Sequence, residues 1–158
     1  MAPGSKKARA SEAPAGRVRT CRELAVEILR DVETRRAYAD ILLDQAIKKN
    51  PLSPPDRALL TQLVYGALRW RGKIDWALGR AVTKPLGDMD DYLRNLLRLT
   101  LYQILFLDKV PAYAAVNKGV EIAKRYGGKG AAGLVNAVAR RLLREKNDLT
   151  HPDSERDA

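Results

Sequence analysis

Apolar residues recur along most of this chain at the three- and four-residue spacing of a helix face. Leu24, Ala25, Ile28, Leu29 and Val32 form the first such stripe, and it opens at Thr20, with Glu23 three residues on completing a capping box. A second runs from about Tyr38 to Lys49 through Leu42, Leu43, Ala46 and Ile47, ending at Asn50-Pro51. Ser53-Pro54-Pro55-Asp56 reads as an N-cap, a first-turn proline and a first-turn acid. The helix it starts carries Leu59, Leu60, Leu63, Val64, Ala67 and Leu68, and Gly66 within it signals close approach of another helix. Gly72 is expected to break or bend this run, which resumes with Ile74, Ala77, Leu78 and Ala81. Two more stripes close the chain. One runs from Ala112 to Ala123, with small residues that imply tight packing and a stop at Gly127; the other runs from about Gly130 to Lys146 with Leu134, Val135, Val138 and Leu142 inward.

Between these lies Asp90–Leu107, which contains no glycine or proline. Asp90 and Asp91 suit a helix N-terminus, and Asp90 can pair with Arg94 on the surface. Asp91, Arg94, Asn95 and Arg98 keep to one side, whereas Leu101, Tyr102 and Ile104 through Leu107 leave no polar side. A helix apolar all round is buried, so its C-terminal half is expected to be the deeper, with Leu105 a core position. The expected fold is therefore all-α: seven helices bundled around one central hydrophobic helix.

Composition narrows the chemistry. One cysteine, Cys21, and one histidine, His151, exclude a disulfide framework, a Cys/His metal site and a nucleophile–histidine pair. No catalytic or metal-ligating set is expected. The N-terminus lacks the apolar core of a secretory signal and no segment is apolar enough to span a bilayer, so a cytoplasmic protein without membrane association is expected.

The formal net charge of +10 is unevenly placed. Residues 1–19 hold five basic and one acidic residue, residues 110–146 eight and two, and residues 147–158 one and four. Residues 1–18 are expected to be a mobile basic arm, residues 19–146 the domain, and residues 147–158 an acidic tail or linker. A clustered basic excess fits a polyanion partner. Arg17, Arg19 and Arg22 crowd a helix start, where cations are disfavoured unless a phosphate meets them. Arg69, Arg71 and Lys73 flank Trp70, a pattern that suits nucleic-acid stacking, although tryptophans at helical spacing more often belong to the core. Lys118 adds a charge to the sixth stripe. Gly128–Gly133 matches G-x-G-x-x-G, but the preceding helix excludes a dinucleotide fold, leaving at most a phosphate contact through Lys129. Arg140, Arg141 and Arg144 form a further basic face.

From about Arg19 to Arg144 the chain resembles the NusB-like domain, an all-α RNA-binding fold. The resemblance rests on Val110–Lys124 and Gly130–Leu143, and on Asp56–Leu78, which is similar specifically to the N-terminal domain of 16S rRNA cytosine-C5 methyltransferases of the RsmB/Sun type. Lys118-Gly119 and Ala139 depart from the family pattern. The resemblance implies a domain that targets 16S rRNA rather than DNA. It also implies a separate methyltransferase domain that binds S-adenosylmethionine, so these residues would carry no catalysis and no cofactor themselves. The other reading it leaves open is a free-standing NusB-type antitermination factor that binds single-stranded RNA and a ribosomal protein. A third, from the residues alone, is a protein-interaction bundle with a basic surface.

Overall fold

A computed structural model describes residues 17–148; most of the expected arm and most of the acidic tail, with His151, lie outside the described residues. The described residues form six α-helices: α1 (Cys21–Arg35), α2 (Ala39–Lys49), α3 (Pro54–Arg69), α4 (Arg71–Ala81), α5 (Asp91–Phe106) and α6 (Ala112–Arg144), with short 3-10 turns at Leu86–Asp88 and Lys146–Asp148. No strand occurs among the described residues, and no helix among them is long and apolar enough to cross a membrane.

The helix starts follow local chemistry. The Thr20 hydroxyl accepts the Glu23 N–H while the Glu23 carboxylate accepts the Thr20 N–H. Ser53 caps α3 by accepting the Asp56 N–H, and Asp90 caps α5 by accepting the Leu93 N–H. The break between α3 and α4 falls at Trp70, not at Gly72, which lies inside α4. The expected sixth and seventh helices follow one another directly as two limbs of α6, broken at Gly128, so that six elements rather than seven are distinguished among the described residues. Within α6 only Gly128 leaves helical geometry, at φ 77° and ψ −159°. That region is open essentially to glycine alone, so the chain bends there without an intervening loop.

Helix α5 is central, as expected, and packs on α1, α3, α4 and α6. Two glycines set how close its neighbours come. The Tyr102 ring occupies the space a Cβ on Gly66 of α3 would need, and a Cβ on Gly119 of α6 would lie 2.7 Å from Thr100 Oγ1.

The polarity of α5 corrects the sequence expectation in two ways. Its first half is buried as fully as its second: Arg94, Asn95 and Arg98 are enclosed along with Leu99 to Ile104, whereas Leu105 and Phe106 at its end, and Leu107 just beyond, are only half-buried. Arg94 does not pair with Asp90; it donates through Nη2 to Glu33 Oε1 of α1 at 2.6 Å and through Nη1 to the Met89 carbonyl at 2.8 Å. Arg98 donates to Glu33 Oε2 at 2.6 Å and to both carboxylate oxygens of Asp75 on α4. Asn95 and Arg71 complete the shell around Glu33. Because every member finds a partner, the charges can be enclosed. Burial alone would raise the Glu33 pKa, but the hydrogen bonds from Arg94, Arg98 and Asn95 and the Arg98 charge hold it down at about 2.

Candidate nucleic-acid interface

The cations singled out in the sequence fall into two groups, with Lys129 and the three arginines Arg140, Arg141 and Arg144 apart. The first lies where α1 begins. Glu33 at the end of α1 meets Arg94 early in α5, while Arg22 at its start donates to Gln103 Oε1 near the α5 C-terminus at 2.8 Å. The two helices are therefore antiparallel, and the α1 start sits beside the α5 end. A groove of about 350 Å³ opens there, bounded by residues 18–22, the α2–α3 connection and α6. Buried Cys21 and Ile122 with half-buried Leu52 and Leu59 form its apolar part. Arg19, Arg22, Lys118 and Arg125 form its cationic part, against the two carboxylates Asp56 and Glu121.

Glu23 ties this group together. Arg17 donates to both its oxygens, at 2.8 and 2.6 Å, and Arg125 approaches at 3.5 Å. Its pKa, which burial would raise, is held at about 2 by the Arg17 hydrogen bonds, the Thr20 N–H and the Arg125 and Arg17 charges. Arg19 pairs with Glu27 at 2.9 Å. The dipole mismatch of arginines at a helix start is thus relieved within the chain by glutamates of the same helix. Lys118 reaches only an exposed Glu121 at 3.8 Å, a geometry worth little in water.

The second group surrounds the α3–α4 corner. Trp70 is half-buried, between the core and open-surface readings, and stacks on Phe106 with centroids 4.8 Å apart. Arg69 lies over Trp70 at 5.3 Å and Lys73 over Phe106 at 5.7 Å. Arg71 instead belongs to the ionic cluster, held by Glu33 at 2.9 Å and Asp75 at 3.7 Å. Lys129 is exposed beside the Gly128 bend, with helix on both sides of the glycine-rich pattern. Arg140, Arg141 and Arg144 are exposed on the second limb of α6, and Leu134, expected inward, is 36% exposed.

Arg125 was missed in the sequence. It lies two turns beyond Lys118 on one helix face, so the sixth stripe carried the signal. Cys21 offers no nucleophile: burial and nearby Asp56 push its pKa up to about 11, and its thiol donates to the Asp56 carbonyl at 3.5 Å.

Comparison with known proteins places these features. The NusB family model matches residues 19–144. A probable ribosomal RNA small subunit methyltransferase B of Synechocystis is 45% identical over 125 residues, which is 79% of this chain and 28% of that protein. The chain thus spans little more than a quarter of that relative's length, and the match falls in its N-terminal part. The transcription antitermination protein NusB of Syntrophomonas wolfei is 30% identical over 82% of this chain and 97% of its own. A solved structure of antitermination factors NusB and NusE in complex with dsRNA superimposes with a TM-score of 0.72 at 22% identity, covering 78% of this chain and 93% of that one. With the family model covering all six helices and the fold shared with solved relatives, the chain belongs to the NusB family.

Proposed function

We propose that this chain is the RNA-binding domain of a 16S rRNA cytosine-C5 methyltransferase, holding the rRNA substrate for a separate catalytic domain that binds S-adenosylmethionine. One observation carries the RNA reading. The fold brings Arg19 and Arg22 beside Lys118 and Arg125, far apart in sequence, around one groove with an apolar interior. Such a site can meet phosphates with its cations and a base with its apolar part. The higher identity to methyltransferases than to antitermination proteins supports the choice between the two RNA readings.

The domain's own residues supply binding and position. Glu23 and Glu27 hold Arg17, Arg125 and Arg19 in place, so less side-chain freedom is lost when a phosphate arrives. A tethered binding module raises the effective concentration of its ligand near the catalytic site. Removing the domain from the full-length enzyme is expected to raise the rRNA KM while leaving the KM for the methyl donor nearly unchanged. Calorimetric titration of S-adenosylmethionine into residues 1–158 is expected to give no binding heat. Donor binding by this chain, or an unaltered rRNA KM after deletion, would refute the targeting role.

The antitermination reading retains one specific support, the match over nearly the full length of NusB proteins. It predicts that the chain acts in transcription without a tethered catalytic domain.

A further inference from the structure

Three of the cations singled out in the sequence are neutralised by a carboxylate: Arg17 by Glu23, Arg19 by Glu27, and Arg71 by Glu33 and Asp75. Arg69 and Lys73 differ. Each lies over an aromatic ring, Arg69 over Trp70 and Lys73 over Phe106, within the roughly 6 Å range of cation–π attraction. A ring face orients a cation but leaves its full charge available to a further partner.

The rings themselves form a stack that runs outward from the core. Buried Tyr102 packs on Phe106 with centroids 5.6 Å apart, and Phe106 packs on Trp70 at 4.8 Å and 18° between planes. Trp70 is the outer ring because it is the single residue between α3 and α4. Arg69 beside it is exposed, and Tyr65, one turn earlier on the same face of α3, is 45% exposed. Planar guanidinium and aromatic groups at a surface, with a free charge alongside, are the elements that stack unpaired bases.

We propose that the α3–α4 corner is a second RNA-contacting subsite, where an unpaired base stacks on the Arg69 guanidinium and the edge of Trp70 while Lys73 neutralises an adjacent phosphate. This rests on the RNA-binding reading above and adds to it a preference for single-stranded segments. Arg71 is a positioning residue here: its pairing with Glu33 and Asp75 fixes the start of α4, and it makes no RNA contact.

The test uses the full chain and a labelled uridine dodecamer, with affinity followed by fluorescence anisotropy across a salt series. Stacking is worth about 1–3 kcal/mol per base, so Trp70→Leu, which removes the ring that holds the Arg69 guanidinium in place, is expected to weaken binding by up to about 150-fold with an unchanged salt slope. Lys73→Gln is expected to flatten the slope of log K against log salt by about 0.7. Arg69→Gln, a surface change that keeps the fold, is expected to weaken binding as well, which guards against Trp70→Leu acting by unfolding; circular dichroism checks both. Binding within twofold of the parent for both Trp70→Leu and Arg69→Gln overturns the subsite. If substitutions in the groove abolish binding while these two do not, the corner falls and the groove reading stands. A parent chain that binds no RNA overturns both. Equal losses against polyglutamate would also overturn it, since an acidic protein surface would then account for the cations.

Discussion

Leu97 and Leu105 are alike in sequence and differ in depth. Leu97 is 1% exposed and Leu105 only half-buried. Leu97→Ala is expected to cost about 2–5 kcal/mol, and Leu105→Ala distinctly less, because a partly exposed leucine leaves a smaller cavity. Urea unfolding of both variants checks the order. Helical periodicity alone points to the opposite order, because the α5 C-terminal half carries no charged residue. It does not reveal that Glu33 and Asp75, on other helices, convert Arg94 and Arg98 into interior residues. Glu33→Gln leaves two enclosed guanidiniums short of charge and is expected to cost about 3–5 kcal/mol. This cluster and the Glu23 group at the α1 start set the acid response. Glu23 and Glu33 fall from an ordinary value of 4.5 to about 2 in the fold. Their contribution is complete above pH 4.5 and is lost as pH falls from there towards 2. The urea midpoint of the parent is expected to drop across that window, and that of Glu33→Gln to drop less. Parallel pH profiles for the two would contradict this.

At the scale of elements, caps were legible because they are local: Thr20 with Glu23 and Ser53 each form the cap their spacing suggests, and Asp90, expected only as favourable charge at a helix start, caps α5. Close approach was legible at Gly66, where the Tyr102 ring fills the vacant side-chain space. The α6 break was legible as a stop at Gly127 and a restart near Gly130, but the glycine that carries it was not, since Gly127, Gly128 and Gly130 are equivalent in sequence and only Gly128 takes the positive φ. Gly128→Ala is expected to destabilise by about 1–3 kcal/mol. Gly130→Ala, at a helical position with open space around it, is expected to be neutral or slightly stabilising. Thermal unfolding of the two variants separates them; equal effects would mean that the bend is not held by residue 128.

For the whole molecule, the sequence showed an excess of charge at two distant stretches, and the fold brings Arg19 at the described end of the first beside Lys118 and Arg125 of the second. The groove joins residues 18–22 to Lys118 and Arg125 because α6 and the α1 start border the same opening. Which cations remain available could not be read from the sequence, because the pairing of Arg17 with Glu23 depends on side-chain geometry. This also changes which variant is informative. Removing Arg17 strips a buried carboxylate of its partner and would mix a stability loss into any binding assay. Arg19, Arg22 and Lys118 are the better set, since none of them neutralises a fully enclosed acid.

The measurement that bears most directly on the central claim is therefore RNA affinity as a function of salt for the parent chain and for Arg19→Ala/Arg22→Ala/Lys118→Ala. The account predicts a parent slope that reports the neutralisation of several phosphates. It predicts a triple variant that binds unrelated single-stranded sequences more weakly alike, its slope flatter by about 0.7 for each phosphate no longer neutralised. A triple variant with the affinity and slope of the parent, while its thermal unfolding is unchanged, would contradict the claim that this groove is where the NusB-family chain meets RNA.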